Sequence, residues 1–204
     1  MKRVGVLLSG SGTNLQALLD HSGSFEVAVV ISNRRDAFGL ERARRAEVPA
    51  VWVPHRRRSR EAFEDDLTET LRRHQVDWVV CAGFMRILTP HFLDQWPQRV
   101  LNIHPALLPS FPGVGGQAQA FAYGVRIAGA TVHFVDSGTD TGPIVAQAAV
   151  PILQGDDEEA VKQRILQKEH WLYPMCVDMA VEGRLRVEGR RVFVKLRENE
   201  SLLL

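Results

Sequence analysis

The sequence predicts an α/β fold: a mostly parallel twisted sheet with helices on both faces, Rossmann-like, with antiparallel strands toward its C-terminal part. Three observations carry that expectation. Short β-branched runs, apolar on both faces, alternate with stretches of helical spacing. The first such run leads straight into a glycine-rich turn. After residue 104 the texture changes, Pro and Gly accumulate, and two further strand-like runs follow close together.

The elements follow in order. Val4–Leu8 is an apolar run, Ser9 to Asn14 a loop with Gly10 and Gly12, and Leu15, Leu18 and Leu19 the face of a first helix. The unit recurs with the strand Val27–Ile31 and a charged, Ala-rich helix from Gly39 to Ala46. It recurs again with Val51–Val53 and a helix capped by Ser59, whose stripe is Phe63, Leu67 and Leu71. Asp77–Ala82 and Val100–Ile103 are buried strands. Pro105, Pro109, Pro112, Gly113, Gly115 and Gly116 then crowd into a segment expected to be irregular. Ala130–Val135 and Ile144–Ile152, joined by a short loop, are expected to pair antiparallel. Asp156 to Glu159 places negative charge where the N-terminus of a long helix favours it. Pro174 is expected to end or kink that helix. The residues from Arg184 to Val194 alternate about a Gly and read as a terminal hairpin.

Composition narrows the function. The chain has 204 residues, 45% hydrophobic and 24% charged, consistent with one domain over residues 1–204 and no internal repeat. Lys and Arg number 25 against 24 Asp and Glu, so no overall field holds a polyanion, and nucleic acid is not an expected partner. The basic run His55–Arg60 is followed at once by Glu61, Glu64, Asp65 and Asp66, as on a solvated surface. Charged residues interrupt every candidate membrane span, and Val4–Leu8 is short for the apolar core of a signal peptide. The cysteines, Cys81 and Cys176, lie far apart and indicate neither a disulfide framework nor a metal cluster. A cytoplasmic protein with no metal, no membrane partner and a monomeric or homodimeric state is the expectation.

Four places could carry chemistry. The loop Ser9–Asn14 between strand and helix offers free backbone N–H groups to a single phosphate, or is only a tight turn capped by Thr13 or Asn14. It lacks the third glycine of a dinucleotide fingerprint and the lysine of a Walker loop. Asn102 and His104, at i and i+2 before the Pro/Gly loop, fall where open α/β sheets bind ligands. Such a pair suits attack on a carbonyl: the amide donates to an oxyanion and the imidazole transfers a proton. Asp136 and Asp140, in one turn, are alternative carboxylates to set the charge of that imidazole, and spacing does not choose between them. His133, inside a strand, reads as another member of the site or as a satisfied core histidine, and the core role is preferred. Glu169 falls on the buried stripe of the last helix with Val161, Ile165, Leu172 and Cys176, where it pairs with an Arg or binds an amine or hydroxyl of a substrate.

Four separated stretches resemble the folate-dependent glycinamide ribonucleotide formyltransferases of purine synthesis, along nearly the whole chain. They are Leu8–Gln16, Ala82–Leu88, Asn102–Pro109, and His133–Val135 leading into Asp140-Thr141-Gly142-Pro143. The resemblance implies formyl transfer from 10-formyltetrahydrofolate, as co-substrate and without a metal, to the amine of phosphoribosylglycinamide. It implies Asn102, His104 and Asp140 as the catalytic trio, with Asp140 holding the His104 imidazole cationic at neutral pH. Gly12, Thr13 and Asn14 match the family's phosphate loop in residues 1–100, and Glu169 its glycinamide contact. Met85, Arg86, Ile87 and Leu88, with the turn Asp136, Ser137, Gly138, Thr139 and Asp140, match the wall of the folate site in a C-terminal half (101–204) that also holds the trio. Arg60 matches a residue near the folate tail. One departure stands out: the family usually follows Phe-Pro-Gly with a hydrophobic residue and a His, whereas here Phe111-Pro112-Gly113-Val114 continues to Gly115-Gly116-Gln117. A formyltetrahydrofolate hydrolase, a methionyl-tRNA formyltransferase and a silent phosphate-sugar binder are the competing readings. The first two normally carry an added domain, and the third has no need of the trio.

Overall fold

The computed structural model describes residues 1–197. Its elements are β1 (Lys2–Leu8), α1 (Thr13–Leu19), β2 (Phe25–Ser32), α2 (Phe38–Arg45), β3 (Ala50–Trp52), α3 (Arg60–Arg73), β4 (Trp78–Cys81), α4 (Pro90–Leu93) and β5 (Val100–His104). Then come α5 (Gly116–Tyr123), β6 (Ile127–Phe134), β7 (Ile144–Pro151), α6 (Glu158–Val181), β8 (Leu185–Glu188) and β9 (Arg191–Val194). Seven strands form one sheet in the order β3-β2-β1-β4-β5-β6-β7. β1 to β5 run parallel, while β6 pairs antiparallel with both β5 and β7. The alternation of strand and amphipathic helix dictates this arrangement, because strands apolar on both faces need helices on both.

The period-two alternation of the strands divides the core in two. Val4, Val6 and Leu8 of β1 face a cluster completed by Leu15 and Leu18 of α1, Leu40 of α2, Ala120 of α5 and Val161, Ile165 and Leu172 of α6. Leu7 faces the other side, with Phe63, Leu67 and Leu71 of α3 and Phe92 of α4. So α1, α2, α5 and α6 cover one face of the sheet, and α3 and α4 the other. Ser59 caps α3 as the sequence predicts, its Oγ accepting from the Ala62 N–H (3.1 Å), and within the acidic start of α6 Asp157 Oδ1 accepts from the Ala160 N–H (2.8 Å).

Two expectations are revised. Of the two outcomes expected at Pro174, an end to the helix does not occur, since it continues to Val181. Leu172, Tyr173, Pro174, Cys176 and Val177 are all buried there, and the Tyr173 hydroxyl reaches the carbonyl oxygens of Cys81 (2.7 Å) and Leu101 (3.1 Å). Burial of that face against the sheet outweighs the one backbone hydrogen bond that a proline forgoes. The Pro/Gly segment is likewise not irregular to its end. Gly115 takes a left-handed conformation (φ 75°) as the cap of α5, which starts at Gly116 and buries Ala120.

Candidate active site

The parallel strands end in a cavity of about 510 Å³, bounded by Asn14 at the start of α1, residues 83–88 after β4, Asn102 and His104 of β5, and Glu169 of α6. The antiparallel pairing of β5 with β6 brings in one more residue. Asn102 stands opposite His133 in the register, so their side chains share a face. His133, read from sequence as a core histidine, is buried but belongs to the cavity wall. Its Nδ1–H donates to the Phe134 carbonyl oxygen (2.8 Å), which leaves Nε2 to accept from Asn102 Nδ2 at 3.1 Å. Among the described residues the second N–H of Asn102 has only Asp140 Oδ1, at 3.5 Å, and so can turn to a stronger acceptor.

His104 is held at both ring nitrogens. Nδ1 lies 3.3 Å from Asp140 Oδ2, and Nε2 lies 2.8 Å from the Phe111 carbonyl oxygen. Both residues that meet the ring have left-handed backbones, Phe111 at φ 55° and Asp140 at φ 55°, a conformation that aspartate tolerates and phenylalanine adopts at a cost. Asp140 Oδ2 also accepts the Gly113 N–H (2.7 Å), which ties the turn after β6 to the loop before α5. Burial would push the Asp140 carboxyl up, but the His133 ring, the Gly113 N–H and the neighbouring His104 outweigh it, holding it below its ordinary value.

The expectation that Asp140 keeps His104 cationic at neutral pH is corrected. The site acts the other way: burial pulls the imidazole below its ordinary value, and the Phe111 carbonyl and Asp140 only partly offset it. A ring with one N–H donates to only one of these two acceptors, and a proton gained at the other nitrogen is met by the second. Asp136, the alternative carboxylate, accepts from the Gly138 N–H (3.1 Å) and the Thr141 hydroxyl (2.7 Å) and shapes the turn.

At one end of the cavity Glu169 is almost wholly buried, and its only hydrogen-bond contact among the described residues is the amide of Asn14 (3.1 Å). Burial pushes its carboxyl up to about 7, with the Asn14 amide opposing. Asn14 Oδ1 is buried with no partner among the described residues. At the other end Phe84, Met85, Ile87 and Val135 make an apolar wall, and Met85 and Ile87 stay 61% and 52% exposed. Ser9 anchors that wall: its hydroxyl accepts from the Met85 N–H (2.8 Å) and donates to Asn33 Oδ1 (2.7 Å).

A second cavity, of about 580 Å³, adjoins the first at Asn14, Gly83, Met85 and Arg86 and is lined by the whole glycine loop. Gly12 there has φ 73°, and a Cβ would sit 2.7 Å from Gly39 Cα, so both conformation and space require glycine. Neither Thr13 nor Asn14 caps α1. Gly12, Thr13, Asn14, Met85, Arg86, Ile87, Leu88, Asn102, Asp136, Gly138, Thr139, Asp140 and Glu169 thus line the two cavities, whereas the exposed Arg60 and Ser137 line neither. Among the described residues no cluster of three or more His, Cys, Asp or Glu could hold a metal. Nor is any described helix long and apolar enough to cross a membrane.

The sheet is open, with an Asn-x-His strand end, an acidic turn beside it and a glycine loop at its first helix, the frame of a group-transfer enzyme, and the chain belongs to the formyl transferase family, whose model matches residues 2–177. Within that family the chain is similar to several glycinamide ribonucleotide formyltransferases, and at 29% identity and a TM-score of 0.87 also to a formyltetrahydrofolate deformylase from Pseudomonas syringae. The chain is 46% identical over 203 residues to the phosphoribosylglycinamide formyltransferase of Mycobacterium tuberculosis, covering 94% of each. It matches the crystal structure of glycinamide ribonucleotide transformylase 1 from Symbiobacterium toebii with a TM-score of 0.93 and 53% identity, over 95% of this chain and 94% of that one. It is also 48% identical over 192 residues to the trifunctional purine biosynthetic protein adenosine-3 of Drosophila pseudoobscura pseudoobscura, of which it spans only 14%.

Proposed function

We propose that the chain transfers the formyl group of 10-formyltetrahydrofolate to the amine of 5'-phosphoribosylglycinamide in purine biosynthesis. The observation that carries the reading is the convergence of Asn102, His104 and Asp140 between an anion loop with a buried carboxyl on one side and an exposed apolar wall on the other. Met85 and Ile87 suit the flat heterocycle of a folate. The backbone N–H groups at Gly12, Thr13 and Asn14 suit a phosphate, and Glu169 with Asn14 suits the glycinamide.

In this reading the amine attacks the formyl carbon, and the carbonyl oxygen gathers negative charge. Asn102 meets that charge with the N–H that only distantly reaches Asp140. His104 accepts the proton released by the amine, and Asp140 and the Phe111 carbonyl hold the cation until the proton passes to the departing folate nitrogen. His133 keeps the Asn102 amide turned into the cavity. The test mixes the chain with the formyl folate, with and without the ribonucleotide amine. Amine-dependent loss of the donor is the expected result; amine-independent loss makes the chain a hydrolase, and no loss makes it a binding protein.

A further inference from the structure

One polar atom of the reaction cavity has no part in the chemistry above. Gln117, in the first turn of α5, lines the cavity, and its Oε1 is buried without a hydrogen-bond partner among the described residues. Buried and without a partner in the protein, this acceptor is placed to take a hydrogen bond from a ligand in the cavity.

Its surroundings say which ligand supplies that donor. The preceding residue, Gly116, lies directly against the imidazole: a Cβ there would sit 2.9 Å from His104 Nε2 and 3.1 Å from both Ala106 Cβ and the Phe111 carbonyl oxygen. The first turn of α5 is therefore seated beside the proton-transfer group. α5 packs on α6, and both lie with α1 over the same face of the sheet. Asn14 is in the first turn of α1, and Glu169 is carried on α6, whereas Leu88 joins the core of the opposite face with α3 and α4. Gln117 thus follows directly on the residue that lies against His104, on a helix that covers the same face of the sheet as the helices carrying Asn14 and Glu169. Asn14 Oδ1 is unpaired in the same way, so two amide oxygens and one carboxyl await a ligand rich in N–H and O–H groups.

We infer that Gln117 is a specificity-determining residue for the amine substrate, its Oε1 accepting a hydrogen bond from an N–H of the glycinamide portion. The inference rests on the proposed function and adds a contact to it. Because a carboxamide does not titrate, this contact is indifferent to pH, unlike an imidazole in the same turn.

Steady-state kinetics of Gln117→Met, close in volume but without the acceptor, and of Gln117→Glu, which keeps an oxygen in place, test it. Gln117→Met should raise KM for the ribonucleotide amine about tenfold, the equivalent of one hydrogen bond, with kcat within about twofold and KM for the formyl folate unchanged. Gln117→Glu should keep KM for the amine within about threefold of the parent chain. An unchanged amine KM in Gln117→Met, or a rise confined to the folate KM, overturns the inference. Should that variant lose its circular dichroism, Gln117→Ala repeats the test in a helix-favouring background. Calorimetric titration of the ribonucleotide separates the two levels of the argument: a parent chain that binds it but does not turn over defeats the functional reading alone. A parent chain that fails to bind it defeats both.

Discussion

Replacing Glu169 by Gln should make the protein more stable at neutral pH while it weakens substrate binding. The carboxyl titrates near 4.5 when solvated and is lifted to about 7 in the fold by burial. Below about pH 4.5 it is neutral in both states and the substitution changes little. As pH rises toward 7 the unfolded chain ionises freely and the folded chain does not, so the parent protein loses stability through this window. At about 1.4 kcal/mol for each pH unit, the climb from 4.5 to about 7 amounts to about 3 kcal/mol above pH 7. Glutamine keeps an oxygen to accept from Asn14 and has no proton to lose. Thermal unfolding of both proteins between about pH 5 and about pH 8 should show the melting temperatures converging at the acid end and the Glu169→Gln variant rising above the parent by about 6–12 °C at the alkaline end. Parallel curves across that range would show that Glu169 ionises in the fold as easily as in water, and would refute the burial argument.

Three other outcomes follow from the site. His104→Ala should lower turnover about 100- to 10,000-fold with the melting temperature nearly unchanged, and near-normal turnover would remove the imidazole from the mechanism. Asp140→Asn should slow the reaction strongly and move the acid limb of its pH–rate profile further toward acid, because the carboxylate is one of the two groups resisting the fall in the His104 pKa; Asp136→Asn, in the turn, should do neither. Gly12→Val should weaken the ribonucleotide in a calorimetric titration, since its Cβ meets Gly39 at 2.7 Å, whereas Gly10→Ala, with nothing within 4 Å, should bind normally; equal affinities would take the phosphate away from this loop.

Much of this architecture is legible before any coordinates, because strands buried on both faces announce themselves as runs such as Val27–Ile31 and helices as stripes such as Phe63, Leu67 and Leu71. Asn102 and His104 are legible for the same reason: alternation alone puts them on one side of a strand end. What depends on register is not. His133 reads as core until β6 is laid antiparallel against β5 and the residue falls opposite Asn102. Pro174 misleads because a local rule yields to the burial of the face that carries it. Gln117 gives no signal of its own, because the Gly residues before it hide the start of a helix whose Ala and Gln residues favour it and which packs on α6. The departure at Gly115-Gly116 could at least have marked the place to look.

The left-handed backbones at Phe111 and Asp140 bear on how portable this chemistry is. An Asn-x-His pair can be written into the end of almost any parallel strand, and burial there would yield a weak imidazole base. It would not yield the oxygens at both nitrogens, which come from two loops separated by α5 and β6 and joined through Gly113. About 1–2 kcal/mol is stored in each such turn of an ordinary L-residue. An engineer who relaxed Phe111 to glycine would recover part of that energy and loosen the carbonyl that steadies the cation. Grafting the site onto another scaffold therefore means moving three segments of chain together, with their strain.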